Sequence, residues 1–277
     1  MYIHDHQIPT SLRHLAIVLV VGLCLISTTR GQSSPVSAGA LMNDVVANEL
    51  ADRAQQRKWS YLIDKREGKQ TLTEEQVDSK DGPLYRVLAI DGTPLNPIQR
   101  QEDNARMDRL LHDPAQQLKL KREHEEDEAK LESVLRLMPQ AFLYDYDGLE
   151  GNFLRIKFRC NSSYNPPTYE ARVVHSLAGT VLIDPQHKRL AKFSGRLIDR
   201  VEFGYGLLGY IEKGGTIEIG RTQVDPSEWK TTFVNIQLSG RLVFFKTISK
   251  QEYETRSDFR AVPGDLNVLA ASRLLGR

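Results

Sequence analysis

Several places in this chain carry residue types at spacings that could do chemistry, and each lacks a partner that the chemistry needs. Gly204-Tyr205-Gly206-Leu207-Leu208-Gly209 spells GxGxxG, the dinucleotide fingerprint. That motif works only where a helix begins on it, so that amides at the helix N-terminus face a pyrophosphate. Here Gly214-Gly215 follows at once and Ile217-Glu218-Ile219 has the spacing of a strand. The segment instead reads as a glycine-rich apolar loop, either folded under a sheet as core or lying as a lid over an apolar mouth. His124 and Glu128 stand at i,i+4, but the run is HEEDE and lacks the second histidine of a zinc-protease helix. Cys160 and His175 have the types of a nucleophile and its base, with no third group in the sequence to orient them. No serine sits in a GxSxG elbow, and His187 has no cysteine or carboxylate pattern about it. Asn161-Ser162-Ser163 is a formal glycosylation sequon. No catalytic residue, metal ligand or cofactor is assigned, and a non-enzymatic protein is expected.

The elements that would position any site begin after an export segment. Leu15 to Ile26 is an apolar run of secretory length, shorter than the ~20 residues of a spanning helix. Arg13 precedes it, and small residues offer cleavage after Gly31 or after Ala40. Residues 1–31 are therefore expected to be a signal peptide and the protein to be periplasmic or secreted. Leu23 before Cys24, with Leu25-Ile26 after it, does not fit a lipobox. Cys160 is then the one remaining cysteine, so packing and not an internal disulfide must hold the fold. The formal charge of +1 gives no case for nucleic acid or an anionic membrane as partner. No further apolar run reaches spanning length.

Residues 41–260 are expected to form a single β-rich domain, with a tail at 261–277. Leu41 to Lys58 has helical spacing, and Trp59-Tyr61-Ile63 alternates like a strand. Segments 71–78 and 83–90 follow, the latter bracketed by Asp81-Gly82 and Asp91-Gly92 turns. Residues 96–138 form a charged helical insertion, broken at Pro114 and ended by Pro139; Leu131, Val134, Leu135 and Met138 give its last part an apolar face. From Phe142 strands dominate. Leu154, Ile156 and Phe158 alternate with Arg155, Lys157 and Arg159 as a half-buried strand. Further strands are expected at 179–183, 190–203, 216–224, 230–238, 241–248 and 252–259, with hairpin turns at Gly214-Gly215 and Ser239-Gly240. The fold class is α+β: a curved antiparallel sheet covered by helices, since an apolar face this wide must curl, close or be covered. Such a sheet can enclose a pocket. Its candidate lining residues are Leu154, Ile156, Phe158, Tyr205, Leu207, Leu208 and Phe244.

The run AGTVLIDPQHKRLAKFSGRLID, then VEFGYGLLGYIEKGG, then Glu228-Trp229-Lys230 resembles exported bacterial proteins of the LolA/LolB-like lipoprotein-sorting class, especially secreted proteins of the acidobacterial type. The resemblance covers roughly residues 140–260. It implies an incomplete antiparallel barrel capped by helices, with acyl chains carried in its cavity, and hence a lipid or lipidated protein as partner. The charged insertion at 96–138 departs from that class, and the missing lipobox argues against a membrane-anchored acceptor.

Overall fold

The helical spacing that begins at Leu41 belongs to α1 (Ala38–Ala54) in the computed structural model, which describes residues 36–55, 57–203, 209–242 and 245–275. Ser37 caps it, its hydroxyl accepting from Ala40 N at 3.1 Å. A meander follows: β1 (Lys58–Glu67), β2 (Gln70–Ser79), β3 (Gly82–Ile90) and the short β4 (Thr93–Pro94). Asp91 and Gly92 both have positive φ (51° and 72°), as a tight hairpin requires and as the Asp-Gly pair anticipates.

The charged insertion is two helices. In α2 (Pro97–His112) a capping box joins Asn96 and Gln99. Asp113 caps α3 (Pro114–Ala141), whose first residue is the proline that divides the pair. Pro139 does not end α3, contrary to expectation. The orphaned carbonyls of its last turn find tertiary donors: Tyr144 Oη reaches Met138 O, Asn161 Nδ2 reaches Gln140 O and Asn161 N reaches Ala141 O, each at 2.9 Å. Leu131 also departs from expectation, being 40% exposed, whereas Met138 is buried.

The C-terminal half contains β5 (Phe142–Glu150), β6 (Phe153–Cys160), the short α4 (Tyr169–His175), β7 (Leu177–Asp184), β8 (Arg189–Leu197), β9 (Val201–Phe203), β10 (Gly209–Ile211), β11 (Thr216–Asp225), β12 (Glu228–Leu242), β13 (Phe245–Val262) and α5 (Val268–Ser272). Three corrections to the sequence reading arise here, the first being that 252–259 is not a strand of its own, because β13 runs unbroken from Phe245 to Val262. The strand expected at 190–203 is two, β8 and β9. Ser239-Gly240 is not a turn: β12 continues through it to Leu242. Gly240 is needed because β10 lies against it; a Cβ there would sit 2.2 Å from Tyr210 O.

All described pairings are antiparallel, and the thirteen strands form one sheet in the order β4-β3-β2-β1-β13-β12-β11-β8-β7-β6-β5, with β10 on β12 and β9 on β10. The sheet does not close. Its last strand in sequence, β13, joins the N-terminal meander to the C-terminal strands. At 28 residues α3 is roughly 42 Å long, and it links the two ends of this order. Near its start, Leu120 and His124 pack on Gly82 of β3; at its finish it runs directly into the edge strand β5.

Two large clusters of buried residues hold the helices. In one, α1 and the end of α3 cover β5 to β8. In the other, Met107 of α2 and Val268 and Ala271 of α5 pack on Val77 and Leu84. The C-terminal residues 268–275 thus belong to a core. Among the described residues, no helix is long and apolar enough to cross a membrane.

Candidate functional site

Paired residues of an antiparallel sheet point to the same side. One row therefore shares a face across eight strands: Lys65, Glu254, Val234, Ile219, Phe193, Val181, Ile156 and Tyr146. Along it the face changes from charged to apolar between β13 and β12.

The apolar part contains three of the expected lining residues. Ile156 is fully buried and Phe158 nearly so, while Leu154 is half-buried against the same cluster. Phe158 meets Phe142 edge-on at 4.9 Å and stacks on Phe193 at 5.1 Å. Over this wall lies α1, with Met42 and Val45 each 1% exposed. Leu41, Val45 and Glu49 fall at i, i+4 and i+8, so one helix face carries both the apolar contacts and a carboxylate. The wall is thus occupied by the protein's own helix along β6 to β8. Tyr205, Leu207, Leu208 and Phe244 lie outside the described residues, as do residues 1–31, expected to be a signal peptide, and Cys24.

Where α1 ends, the site becomes ionic. Glu49 accepts from Arg189 Nε at 3.1 Å and also from Arg221; Arg189 reaches Asp52 at 2.5 Å. Leu190 N donates to Glu49 as well, and Arg221 reaches Trp229 O at 2.8 Å. Burial pushes the Glu49 carboxyl up, but Arg221 and then Arg189 outweigh it and hold it below its ordinary value. The sequence reading missed this cluster. Its signal was present: a glutamate on the apolar stripe of a helix demands a buried cation.

Where α1 begins, the wall opens. A cleft of about 520 Å³ is lined by Gly39, Pro139, Phe142, Leu143, Tyr144 and Tyr164, among others. Burial raises the Tyr144 hydroxyl, which donates to Met138 O, so the ring is fixed as a neutral wall. Phe142 belongs both to the cleft and to the buried cluster, so the cleft's floor is the edge of that cluster. β5 is an edge strand of the sheet, and Leu149 on it is 70% exposed.

The chemistry-bearing residues are placed otherwise. His175 Nε2 lies 2.9 Å from Asn161 O, and no hydrogen bond joins it to Cys160 among the described residues. Glu128 pairs with Arg53 of α1 at 2.5 Å and not with His124. Asn161 of the sequon caps α3, and its Oδ1 accepts from Ser163 N. Gly209, the last glycine of GxGxxG, opens β10, a strand paired antiparallel with β9. Among the described residues, no group of three or more His, Cys, Asp or Glu could hold a metal ion.

The fold and this site define an α+β protein with an open antiparallel sheet, one apolar stretch of which is covered by α1. Comparison with protein-family models, curated proteins and solved structures finds no significant match to this chain.

Proposed function

We propose that this chain is a non-enzymatic protein of the cell envelope, of LolA/LolB-like type, that binds an apolar ligand such as an acyl chain of a lipid or lipidated protein. Its ligand would enter at the cleft beside the start of α1 and not fill an open half-barrel, because α1 occupies the wall. The observation that carries this reading is the cleft of about 520 Å³, walled by Phe142, Leu143, Tyr144 and Tyr164 with polar Gln140, Asn161 and Ser163 beside them, its floor the edge of the core. Its size falls within the ~300–1,000 Å³ of small-ligand sites. Each methylene it shields is worth about 0.8 kcal/mol, so even a short acyl segment would be held usefully. Export rests on the apolar run Leu15 to Ile26.

Native mass spectrometry of protein purified from a membrane-containing host, with titration of a fluorescent fatty acid, tests the reading. Saturable binding is expected, weakened about tenfold by Leu143→Asp, which charges an exposed cleft residue without entering the core. A folded protein that carries no lipid and ignores the probe removes it. A second reading, an interaction protein with a filled core, is favoured by the near-zero exposure of Met42, Val45, Ile156 and Val181.

A further inference from the structure

A second cleft lies on the opposite face of the sheet, and two backbone irregularities make it. Ser60 pairs with Arg260 and Leu62 with Ser257, so Asp258 and Phe259 together oppose Tyr61: a β-bulge. Phe259 turns to the side of Trp59 and Tyr61, stacking on Tyr61 at 5.1 Å. Asp258 is left at φ +54°, in the left-handed region, which costs free energy for a non-glycine residue. Between β2 and β3 a second register shift leaves Leu88 without a partner. The extra residues of both bulges, Asp258 and Leu88, line the same cleft of about 330 Å³, together with Ser60, Leu62, Glu75 and Arg260.

The charges of this cleft are unusual in one respect. Asp258, Arg260 and the carboxylate of Glu75 line it together, yet among the described residues neither Asp258 nor Arg260 forms an ion pair or a side-chain hydrogen bond. The bulge fixes the carboxylate where its neighbour's guanidinium does not meet it. Leu62 and Leu88 add apolar surface, Leu88 being 37% exposed.

We propose that this cleft binds a small zwitterion, an α-amino acid with an aliphatic side chain. Arg260 takes the carboxylate as a planar fork, Asp258 takes the ammonium, and Leu62 and Leu88 receive the side chain. The volume is at the lower end of the ~300–1,000 Å³ of small-ligand sites. The site is independent of the acyl-ligand reading, since Ser60 and Leu62 alternate with the residues that share a face with the apolar wall.

Calorimetric titration of the folded chain with L-leucine tests the proposal. Saturable binding is expected at or below millimolar concentration. Leucinamide, which lacks the carboxylate, and 4-methylpentanoate, which lacks the ammonium, should each bind about tenfold more weakly or worse, the loss expected for one charged contact. Arg260→Gln and Asp258→Asn should weaken leucine by a similar factor; asparagine tolerates the left-handed backbone, so the bulge is kept. No saturable heat with leucine, equal binding of 4-methylpentanoate, or unchanged affinity in both variants each overturns it. Fatty-acid binding should be the same in both variants.

Discussion

The two halves of one sheet face solve the same problem in opposite ways. Over β5 to β8 the face is apolar, and α1 is laid across it, with an ion cluster at the border where Glu49 meets Arg189 and Arg221. Over β13, β1 and β2 the same face carries ion pairs instead: Lys65 with Glu74 and Glu67 at 3.0 Å each, and Arg256 with Glu254. Trp59, Tyr61 and Ile63 form a small cluster among them, with Lys230 over the Trp59 ring at 5.3 Å. An apolar face needs a cover, whereas a face of half-buried ion pairs can stand next to water. On this face, therefore, the first half and not the second offers an apolar ligand something to replace or extend.

The largest effects should come from the covered half. Phe158→Ala removes a ring packed between Phe142 and Phe193 and should cost about 3–5 kcal/mol, read as a lowered urea midpoint. Glu49→Ala leaves Arg189 and Arg221 without their main acceptor and should cost a similar ~3–5 kcal/mol, although the residue is polar. If Glu49→Ala proves as mild as a surface change, the ion cluster is not what holds α1.

The pH dependence sharpens the contrast, because the two halves respond with opposite sign. Glu49 is held below its ordinary value of 4.5, so its contribution is present above that pH and is lost as pH falls through the lower folded value. Burial raises Glu74 and Asp78, so their contribution is largest below their ordinary values of 4.5 and 3.8 and is lost as pH rises through the raised folded ones. Urea midpoints measured from acid to neutral pH should show a flattened acid limb in Glu49→Gln and a smaller loss on the rising side in Asp78→Asn. The reverse assignment would undo the comparison.

The smallest effect belongs to neither half. Glu132→Ala breaks an exposed i,i+4 pair with Arg136 on α3 and should cost only about 0.3–0.5 kcal/mol in thermal unfolding. A larger loss would mean that the exposed stretch of α3 is docked in solution.

Particular residues show why the sequence was readable in some places and not in others. Ile156 and Phe158 were legible as buried because strand alternation is local and period two. Pro114 and Asp91-Gly92 were legible because proline and left-handed turns constrain the backbone by themselves. Pro139 misled because its helix end is satisfied by Asn161 and Tyr144, from other elements. Gly240 misled because the strand that crowds it is β10, about thirty residues earlier in the chain. Ser37, the cap of α1, and buried Ala38 precede the second of the two expected cleavage points, so cleavage after Ala40 would remove both.

The sequence by itself determined the elements, the antiparallel class and the apolar strand faces, since these follow from periodicity and from what each residue permits its own backbone. Only the tertiary structure decided that α1 fills the apolar wall, that β13 joins the two meanders, and that Glu49 finds Arg189 and Arg221 from 140 and 172 residues away. Such pairings depend on where distant segments meet, and the free energy that selects them is that of burying a whole face, not of any one residue's preference.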